Sequence, residues 1–332
     1  MTLDIYGAKI ECRCVSSDLE ERLIRPFVFF KQDAAIPEII IEVKKEAAPY
    51  GSFPRLIASF STPRNIVYSG KDIKIIDYFG KGVVVEQKGM KCYTIYGEDT
   101  NFLEEAFYLL VLSIFGQHCD KKRLLRMHAL GLSCGHKAFV FLVPPGGGKS
   151  TLACAMLEKK GYNLISDDSP VFDFRTGAIL PFPLRIGIND KNILEKIPKE
   201  FIYSIARMEF GLKHFIDCSY WSSQIEKNGL QNIILVSVKT ILNGEPSMRK
   251  IAKINLLGPL LRDAIVGIGL YQGLEFIFGH RSGEILSRIV IVLKRTMFAL
   301  RLVLACHTYK FIMTRNSLEN ARFLENYIKR LE

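Results

Sequence analysis

The sequence has 332 residues, 48% of them hydrophobic and 24% charged, which excludes an intrinsically disordered chain and allows one large domain or two of ordinary size. Its 45 lysine and arginine residues against 34 acidic residues give a net charge of +11, which favours anionic partners such as nucleotides, phosphoproteins or acidic surfaces. Without a clustered basic motif, this charge does not indicate a protein that binds nucleic acid.

Residues 1–120 predict a mixed α/β region. The stretch "LDIYGAKIECRCV" is strand-like, and "SSDLEERLIRPFVFF" begins with serines and an acidic first turn, which predicts a helix. After the short strand "EIIIEVKKE", β-branched and aromatic residues alternate with glycine turns up to Gly97, which indicates an antiparallel meander. The region closes with a helix that begins near Thr100 or Asn101.

Residues 121–332 predict a second domain with a different pattern. In "LLRMHALGLSCGHKAFVFLVP", two strands are joined by a turn at Cys134-Gly135-His136, and a glycine-rich loop and a helix follow. A short strand "YNLIS" and a hairpin that turns at Thr176-Gly177 come next. The strand "LQNIILVSVK", a mainly helical region over 255–302, a strand "HTYKFIMTRN" and a final helix complete the chain.

The apolar stretch "ILSRIVIVLKRTMFALRLVLACHTYKF" near the C-terminus is interrupted by Arg288, Lys294, Arg295 and Arg301. Its longest uncharged run is well short of the roughly 20 residues that span a membrane. We therefore predict a buried helix followed by a strand and no transmembrane segment, and a role at a membrane surface stays open as the alternative.

The eight cysteines and the N-terminus both favour a cytoplasmic protein. The cysteines are scattered through apolar segments without a CxxC pair or a Cys/His quartet, which predicts reduced side chains and no zinc site. The N-terminal stretch lacks a basic region followed by an apolar run, so no signal peptide is expected.

The stretch "FLVPPGGGKSTLACAML" combines an apolar strand, a glycine loop and a helix, which is the context that a phosphate-binding P-loop (Walker A motif) requires. Glycines allow backbone N–H groups to surround phosphates, the lysine reaches the β- and γ-phosphates, and the next hydroxyl holds Mg²⁺. Val143 stands where the strict motif has its first glycine. The predicted nucleotide-binding residues are Gly146, Gly147, Gly148, Lys149, Ser150 and Thr151.

Asp167 and Asp168 directly follow the strand "YNLIS", at the strand end where an α/β sheet presents ligand-binding residues. One carboxylate can hold Mg²⁺ while the other accepts a proton from an attacking hydroxyl group. His128 precedes the strands that lead to the loop, and Arg185 in "PFPLRIGI" could neutralise the charge of a transferred phosphoryl group. From the sequence pattern alone, a lone histidine is more often structural or solvated, and Arg185 could equally be a surface arginine.

The loop, the helix and "GYNLISDD", with a histidine upstream, resemble the HPr kinase/phosphorylase superfamily over about residues 123–190. That superfamily includes HPr-kinase-like proteins found with peptide-modification systems, and its fold is related to phosphoenolpyruvate carboxykinase. The resemblance implies an α/β fold with a P-loop core of this kind, preceded by the N-terminal mixed α/β region. It also implies an ATP- and Mg²⁺-dependent kinase that phosphorylates a serine hydroxyl of a small protein or peptide.

Carried over to this chain, the resemblance implies that Asp167 is the base, that Asp168 and Ser150 bind Mg²⁺, and that His128 matches the family histidine. The carbon-control enzymes have a Glu-Ile-Arg-Gly segment where this chain has Pro183 to Ile186. Arg185 therefore matches the arginine of that segment, but this chain has no residue that matches its glutamate. The first 120 residues show no resemblance to the N-terminal domain of those enzymes. We therefore expect a divergent relative with another acceptor, for which the resemblance does not imply phosphorolysis.

Three alternatives stay open at the level of sequence. The same site could phosphorylate a small molecule, the protein could be a non-catalytic nucleotide-binding adaptor, or it could be structural and bind no nucleotide. The sequence leaves open a homo-oligomer.

Overall fold

The computed structural model describes residues 1–32, 36–207, 211–266 and 282–331. These residues form two compact units, one made chiefly of residues 1–118 and the other of residues 119–203, 214–266 and 289–331. Each unit combines β-strands with helices, so the expected α/β class is confirmed. The predicted division into domains 1–120 and 121–332 stays a prediction.

A nine-stranded mixed sheet forms the first unit, in the order β3-β1-β2-β4-β9-β8-β7-β6-β5. Strands β2, β4 and β9 are parallel, and β5 to β9 form the antiparallel meander that the glycine turns predict. The strands are β1 (Thr2–Ile5), β2 (Ala8–Cys14), β3 (Lys31–Gln32), β4 (Ile39–Lys44), β5 (Ala58–Ser61), β6 (Ile66–Ser69), β7 (Ile73–Asp77), β8 (Val83–Gln87) and β9 (Cys92–Tyr96).

Helix α1 (Ser17–Ile24) begins where the sequence predicts, because the Ser16 side chain accepts a hydrogen bond from the Leu19 N–H. Helix α1 is shorter than the helix predicted over "SSDLEERLIRPFVFF". Pro26 lacks a backbone N–H group, and a 3₁₀ helix follows over Arg25–Phe30. Helix α2 (Thr100–Lys121) is the long helix expected after the meander.

Helix α2 packs closely on the meander through Phe102. A Cβ atom at Gly82 would lie 2.1 Å from the Phe102 ring, and one at Gly97 would lie 2.6 Å from it. The Tyr78 ring meets Phe102 edge to face, with 5.2 Å between the ring centroids. The two glycines therefore let an aromatic side chain of α2 approach the strand backbones directly.

The rest of the chain contains twelve strands and five helices among the described residues. The strands are β10 (Leu124–Arg126), β11 (Leu130–Cys134), β12 (Lys137–Leu142), β13 (Tyr162–Ser166), β14 (Val171–Asp173), β15 (Ala178–Leu180), β16 (Arg185–Ile188), β17 (Ile202–Arg207), β18 (Gly211–Asp217), β19 (Asn232–Thr240), β20 (Ser247–Lys250) and β21 (His307–Met313). The helices are α3 (Lys149–Leu157), α4 (Lys191–Leu194), α5 (Ile254–Leu261), α6 (Ser282–Ala305) and α7 (Ser317–Lys329).

A six-stranded sheet organises the second unit, in the order β13-β11-β12-β19-β21-β20. Its inner strands β12, β19 and β21 are parallel, and the two hairpin partners of the sequence analysis, β11 and β12, are antiparallel. Phe139 and Phe141 point into a core that includes α3 and α7, whereas Val140 and Leu142 point into a core that includes α5 and α6. Burial on both faces explains why β12 reads as a continuous apolar run.

Two further three-stranded sheets have the orders β10-β14-β15 and β16-β18-β17. Strands β14 and β15 pair antiparallel on either side of Gly177, whose φ of 70° a glycine adopts without strain, as the predicted hairpin requires. The predicted turn between β11 and β12 likewise has Gly135 at a φ of 54°.

The expectation of a buried C-terminal helix is wrong for one face of α6. Phe298 and Leu302 lie in the core against the sheet, but Leu293 is 63% exposed and Leu304 is 68% exposed. The helix packs on the sheet along one apolar stripe, and its exposed stripe is apolar as well. The hydrophobic pattern therefore did not distinguish the buried face from the exposed face. In the part of the chain that the structure describes, no helix is both long and apolar enough to cross a bilayer.

Candidate functional site

The glycine loop connects β12 to α3 and ends in a left-handed residue. Gly146 has a φ of 72° and Gly148 a φ of 85°, backbone conformations that residues other than glycine rarely adopt. Gly148 is the N-cap of α3, and its carbonyl accepts the Leu152 N–H at 2.9 Å. The first N–H groups of α3, which begins at Lys149, therefore face the loop at the positive end of the helix dipole, as in an anion-binding loop.

Val143, the departure from the strict motif, is a core residue. Its side chain is fully buried, and its Cγ1 would lie 2.9 Å from a Cβ atom placed on Gly147. The same Cβ would lie 2.8 Å from the Pro144 carbonyl oxygen, which accepts the Gly147 N–H at 2.9 Å. The loop thus turns tightly between Pro144 and Gly147, and the absence of a side chain at Gly147 makes room for Val143.

Replacing Gly147 with alanine is expected to lower the free energy of unfolding by about 1–3 kcal/mol, because the added methyl group meets backbone that must shift. The predicted affinity for nucleotide should fall as well. Urea unfolding and calorimetric titration with ATP measure the two effects. Gly51→Ala is the matched control, since no atom lies within 4 Å of the added Cβ there. Unchanged stability and affinity in the Gly147→Ala protein would contradict this loop geometry.

Lys149, Asp168 and His128 form a compact polar cluster. The Lys149 Nζ lies 2.6 Å from Asp168 Oδ1 and 3.1 Å from His128 Nε2. The His128 Nδ1 lies 3.2 Å from the same Asp168 oxygen. The structure therefore brings together three residues that lie in separate parts of the sequence pattern.

A second contact joins the start of α3 to the end of β13. The Ser150 hydroxyl donates a hydrogen bond to Asp167 Oδ2 at 2.9 Å, and Asp167 is 7% exposed. Both carboxylates of the Asp pair thus face the first turn of α3, one towards Lys149 and the other towards Ser150. Thr151, the next residue of that turn, is half-buried.

Backbone hydrogen bonds hold the segment around His128 in place. The Ala129 N–H donates to the Asp168 carbonyl at 3.2 Å, and the His128 N–H donates to the Asp263 carbonyl at 3.0 Å. His128 lies between β10 and β11, directly beside the strand end that carries the Asp pair. Its position is fixed by backbone contacts on two sides, so its ring can orient Lys149 and Asp168.

The pKa of the Asp168 carboxyl is set by opposing effects. Burial acts to raise the pKa, but the Lys149 ammonium and the hydrogen bond with His128 hold it well below its usual range. Asp168 is therefore ionised throughout the neutral and mildly acidic range. Its stabilising effect is present above the ordinary carboxyl pKa and is lost only as the pH falls through the depressed value.

This linkage gives a prediction for Lys149→Met. Removing the ammonium should raise the pKa of Asp168, because burial then acts with less opposition. The free energy of unfolding that the variant loses should be larger at pH 7 than at pH 3, where the carboxylate is protonated to a greater extent in the unfolded chain. Urea unfolding of both proteins at the two pH values measures the difference. An equal loss at both would contradict the ion pair.

Arg185 is the first residue of β16, a strand that packs against α3. It is buried, and its guanidinium carbon lies 4.0 Å from the centroid of the Phe215 ring on β18. The cation–π contact gives this arginine a packing role. A role in neutralising transferred charge stays a prediction.

Two residues near the loop were missed by sequence reasoning. A Cβ at Gly148 would lie 3.2 Å from the Met313 Cε at the end of β21, and the Asp263 carbonyl holds the His128 backbone. Both come from distant parts of the chain and carry no motif. Only the parallel pairing of β19 with β12 and with β21 brings the C-terminal strand close to the loop.

The oxygen donors at the site suit Mg²⁺ more than a transition metal. Ser150, Asp167 and Asp168 provide one hydroxyl and two carboxylates, and Mg²⁺ is typically held by one or two carboxylates together with substrate phosphates. Over the described residues there is no group of three or more His, Cys, Asp or Glu side chains that could hold a metal ion by themselves. The residues present therefore fit a cation that is shared with a phosphate ligand.

Comparison with known proteins gives a distant likeness to solved structures. No protein-family model matches the chain, and no curated protein sequence matches it. Among solved structures, the chain is similar to the Hpr(Ser) kinase/phosphatase from Coxiella burnetii, with 12% identity, a TM-score of 0.28, and coverage of 62% of this chain and 97% of that chain. Such a low TM-score does not establish a shared fold, so the α/β class is based on the strands and helices described above.

Proposed function

We propose that the protein is an ATP- and Mg²⁺-dependent kinase that transfers the γ-phosphoryl group to a hydroxyl group, specifically a serine of a small protein or peptide. One observation carries the proposal. The residues at the start of α3 contact both carboxylates that follow the neighbouring strand β13, at 2.6 Å for Lys149 and 2.9 Å for Ser150. A phosphate-binding loop next to an aspartate pair contains the groups that phosphoryl transfer requires.

Lys149 would bind the β- and γ-phosphates of ATP from the start of α3. Its ammonium already lies between Asp168 and His128, so phosphate oxygens would share or replace these contacts. The loop glycines and the first N–H groups of α3 would surround the same phosphates. Ser150 and Asp168 would hold Mg²⁺, which supplies neutralisation of phosphate charge.

Asp167 would act as the general base. It would take the proton of the acceptor hydroxyl as the acceptor oxygen forms its bond to the γ-phosphorus and the bond to the β-phosphate oxygen breaks, releasing ADP. Because Asp167 is buried, little water would compete with the acceptor hydroxyl for its carboxylate. His128 would orient Lys149 and Asp168, and Arg185 is a further candidate for stabilising the transferred charge.

The resemblance of "GGGKST" and "GYNLISDD" to HPr-kinase-like proteins supports a protein or peptide acceptor. The test is incubation of the protein and a cell lysate with ATP labelled at the γ-phosphate, followed by separation of macromolecules from small molecules. Label in a polypeptide fraction is expected, on phosphoserine. Label only in small molecules would favour a small-molecule kinase, and ATP binding without any transfer would favour an adaptor.

A further inference from the structure

Helix α6 carries the largest group of exposed apolar side chains on any one element in the described part of the chain. Monomeric proteins rarely expose so many large apolar side chains side by side unless they bind a partner. Seven residues of this helix are each at least 40% exposed: Ile289, Val290, Val292, Leu293, Met297, Leu300 and Leu304. The outer face of α6 is therefore a candidate interaction surface.

Five of these residues have the spacing of a coiled-coil seam. The intervals between them alternate between three and four residues, as the a and d positions of a heptad repeat do, over Val290, Leu293, Met297, Leu300 and Leu304. On an α-helix this spacing places the side chains along one narrow line, here named the heptad stripe. Leucine occupies both d positions and valine the first a position, which is typical of two-stranded parallel coiled coils. The stripe therefore fits the side of another helix.

The opposite face of α6 is held by the body of the second unit. Phe298 lies in the core, and its ring stacks on Phe174 with 4.2 Å between the centroids. The Arg295 guanidinium pairs with the Asp120 carboxylate at 2.7 Å, and the Lys294 ammonium donates to the Asp120 carbonyl at 2.6 Å. These contacts fix the rotation of the helix, so the heptad stripe stays on the surface of the unit.

The charges beside the stripe favour a parallel pair of identical helices. Lys294 and Arg301 occupy the e positions, and residues 289–305 include no acidic residue. In an antiparallel pair, these two cations would lie side by side across the seam, each from a different copy. In a parallel pair, each e position lies beside a g position of the other helix, and the g positions hold the uncharged residues Ile289 and Thr296. A parallel second copy therefore covers the stripe without bringing like charges together.

We propose that the heptad stripe is the interface of a parallel homodimer, in which α6 packs on α6 of a second copy of this chain. Burial of the five apolar side chains of each copy drives the association, and the uncharged g positions set the orientation. The proposal goes beyond the proposed kinase function and does not depend on it, because the stripe contains none of the residues assigned to phosphoryl transfer. Association is therefore measured without any activity assay.

Sedimentation velocity of the full-length protein over a wide range of concentrations tests the interface. A species of twice the mass of one chain is expected, and Leu293→Glu should raise its dissociation constant at least about thirtyfold, as loss of a central hot-spot side chain does. Leu293 is 63% exposed, so the monomer accommodates glutamate there, and urea unfolding checks that the variant is folded. Leu318→Glu is the matched control, since Leu318 is an exposed leucine on α7, which packs on the other face of the sheet. It should dimerise as the unaltered protein does.

Disulfide trapping tests the parallel arrangement. The two copies of Leu293 would face each other at a d position, so Leu293→Cys should give a disulfide-linked dimer on mild oxidation. Leu318→Cys and the unaltered protein, which has eight cysteines of its own, set the background and should not be trapped. A monomer at all concentrations, a dimer that Leu293→Glu leaves unchanged, or no trapping of Leu293→Cys would overturn the proposal. A monomer that sediments with phosphatidylglycerol vesicles, and loses them in Leu293→Glu, would overturn it in favour of a lipid-binding face.

Discussion

Replacing Asp167 with asparagine is expected to lower phosphoryl transfer by about 10²–10⁴-fold, the usual contribution of a general base. The affinity for ATP should change little, because the asparagine oxygen can still accept the Ser150 hydroxyl that Asp167 Oδ2 accepts at 2.9 Å. The side chains have nearly the same size, so the packing around this buried position is preserved. The loss should therefore appear in the rate of transfer and not in nucleotide binding.

Transfer of label from ATP and calorimetric titration with ATP measure the two quantities separately. Asp190→Asn is a suitable control, because Asp190 is the N-cap of α4 and asparagine caps helices equally well. If the Asp167→Asn protein transferred phosphate at the normal rate, another residue would have to be the base. If it lost ATP binding as well, Asp167 would be a nucleotide or metal ligand.

Replacing Lys149 with methionine is expected to impair both nucleotide binding and transfer. The ammonium provides the positive charge at the start of α3, and loss of one such group typically costs about 10²–10³-fold in rate. Lys160→Met, a lysine at an exposed position beyond the end of α3, should retain normal activity. Normal ATP binding and transfer in Lys149→Met would contradict the site assignment.

A double variant separates catalysis from stability at this position. In Lys149→Met alone, the partly buried Asp168 carboxylate loses the ammonium that lies 2.6 Å away. Adding Asp168→Asn removes that carboxylate charge, so the double variant should recover part of the lost stability while transfer stays impaired. Recovery of both stability and phosphoryl transfer would mean that Lys149 acts only as a counterion to Asp168.

Much of the candidate site was predictable because its parts are close in sequence. The apolar run of β12, the glycines of the loop and the Asp pair after β13 all lie between residues 137 and 168, and each is a local pattern. A single strand–loop–helix–strand unit then brings Lys149 and Ser150 to the two aspartates. The α/β class followed from similar local signals, such as the glycine turns of the meander.

Non-local features could not be obtained in this way. Nothing in the local sequence specifies that β19 pairs with β12 or that β4 lies parallel to β2, because strand order depends on contacts between distant segments. The exposed face of α6 was missed for a related reason, since an apolar residue such as Leu293 reads the same whether or not a partner covers it. The contact of Asp263 with His128 also joins segments that are far apart in sequence.

The contact between Gly148 and Met313 has a consequence for the order of events during synthesis. The loop and the strand end that supports it are separated by 164 residues, counted from Lys149 to Ile312. At about 5–20 residues per second, the ribosome needs roughly ten to thirty seconds to deliver β21 after α3 has emerged. A nascent chain thus carries the glycine loop for that time without the strand that packs against it. The packing of Met313 against the loop can form only after translation has passed residue 313.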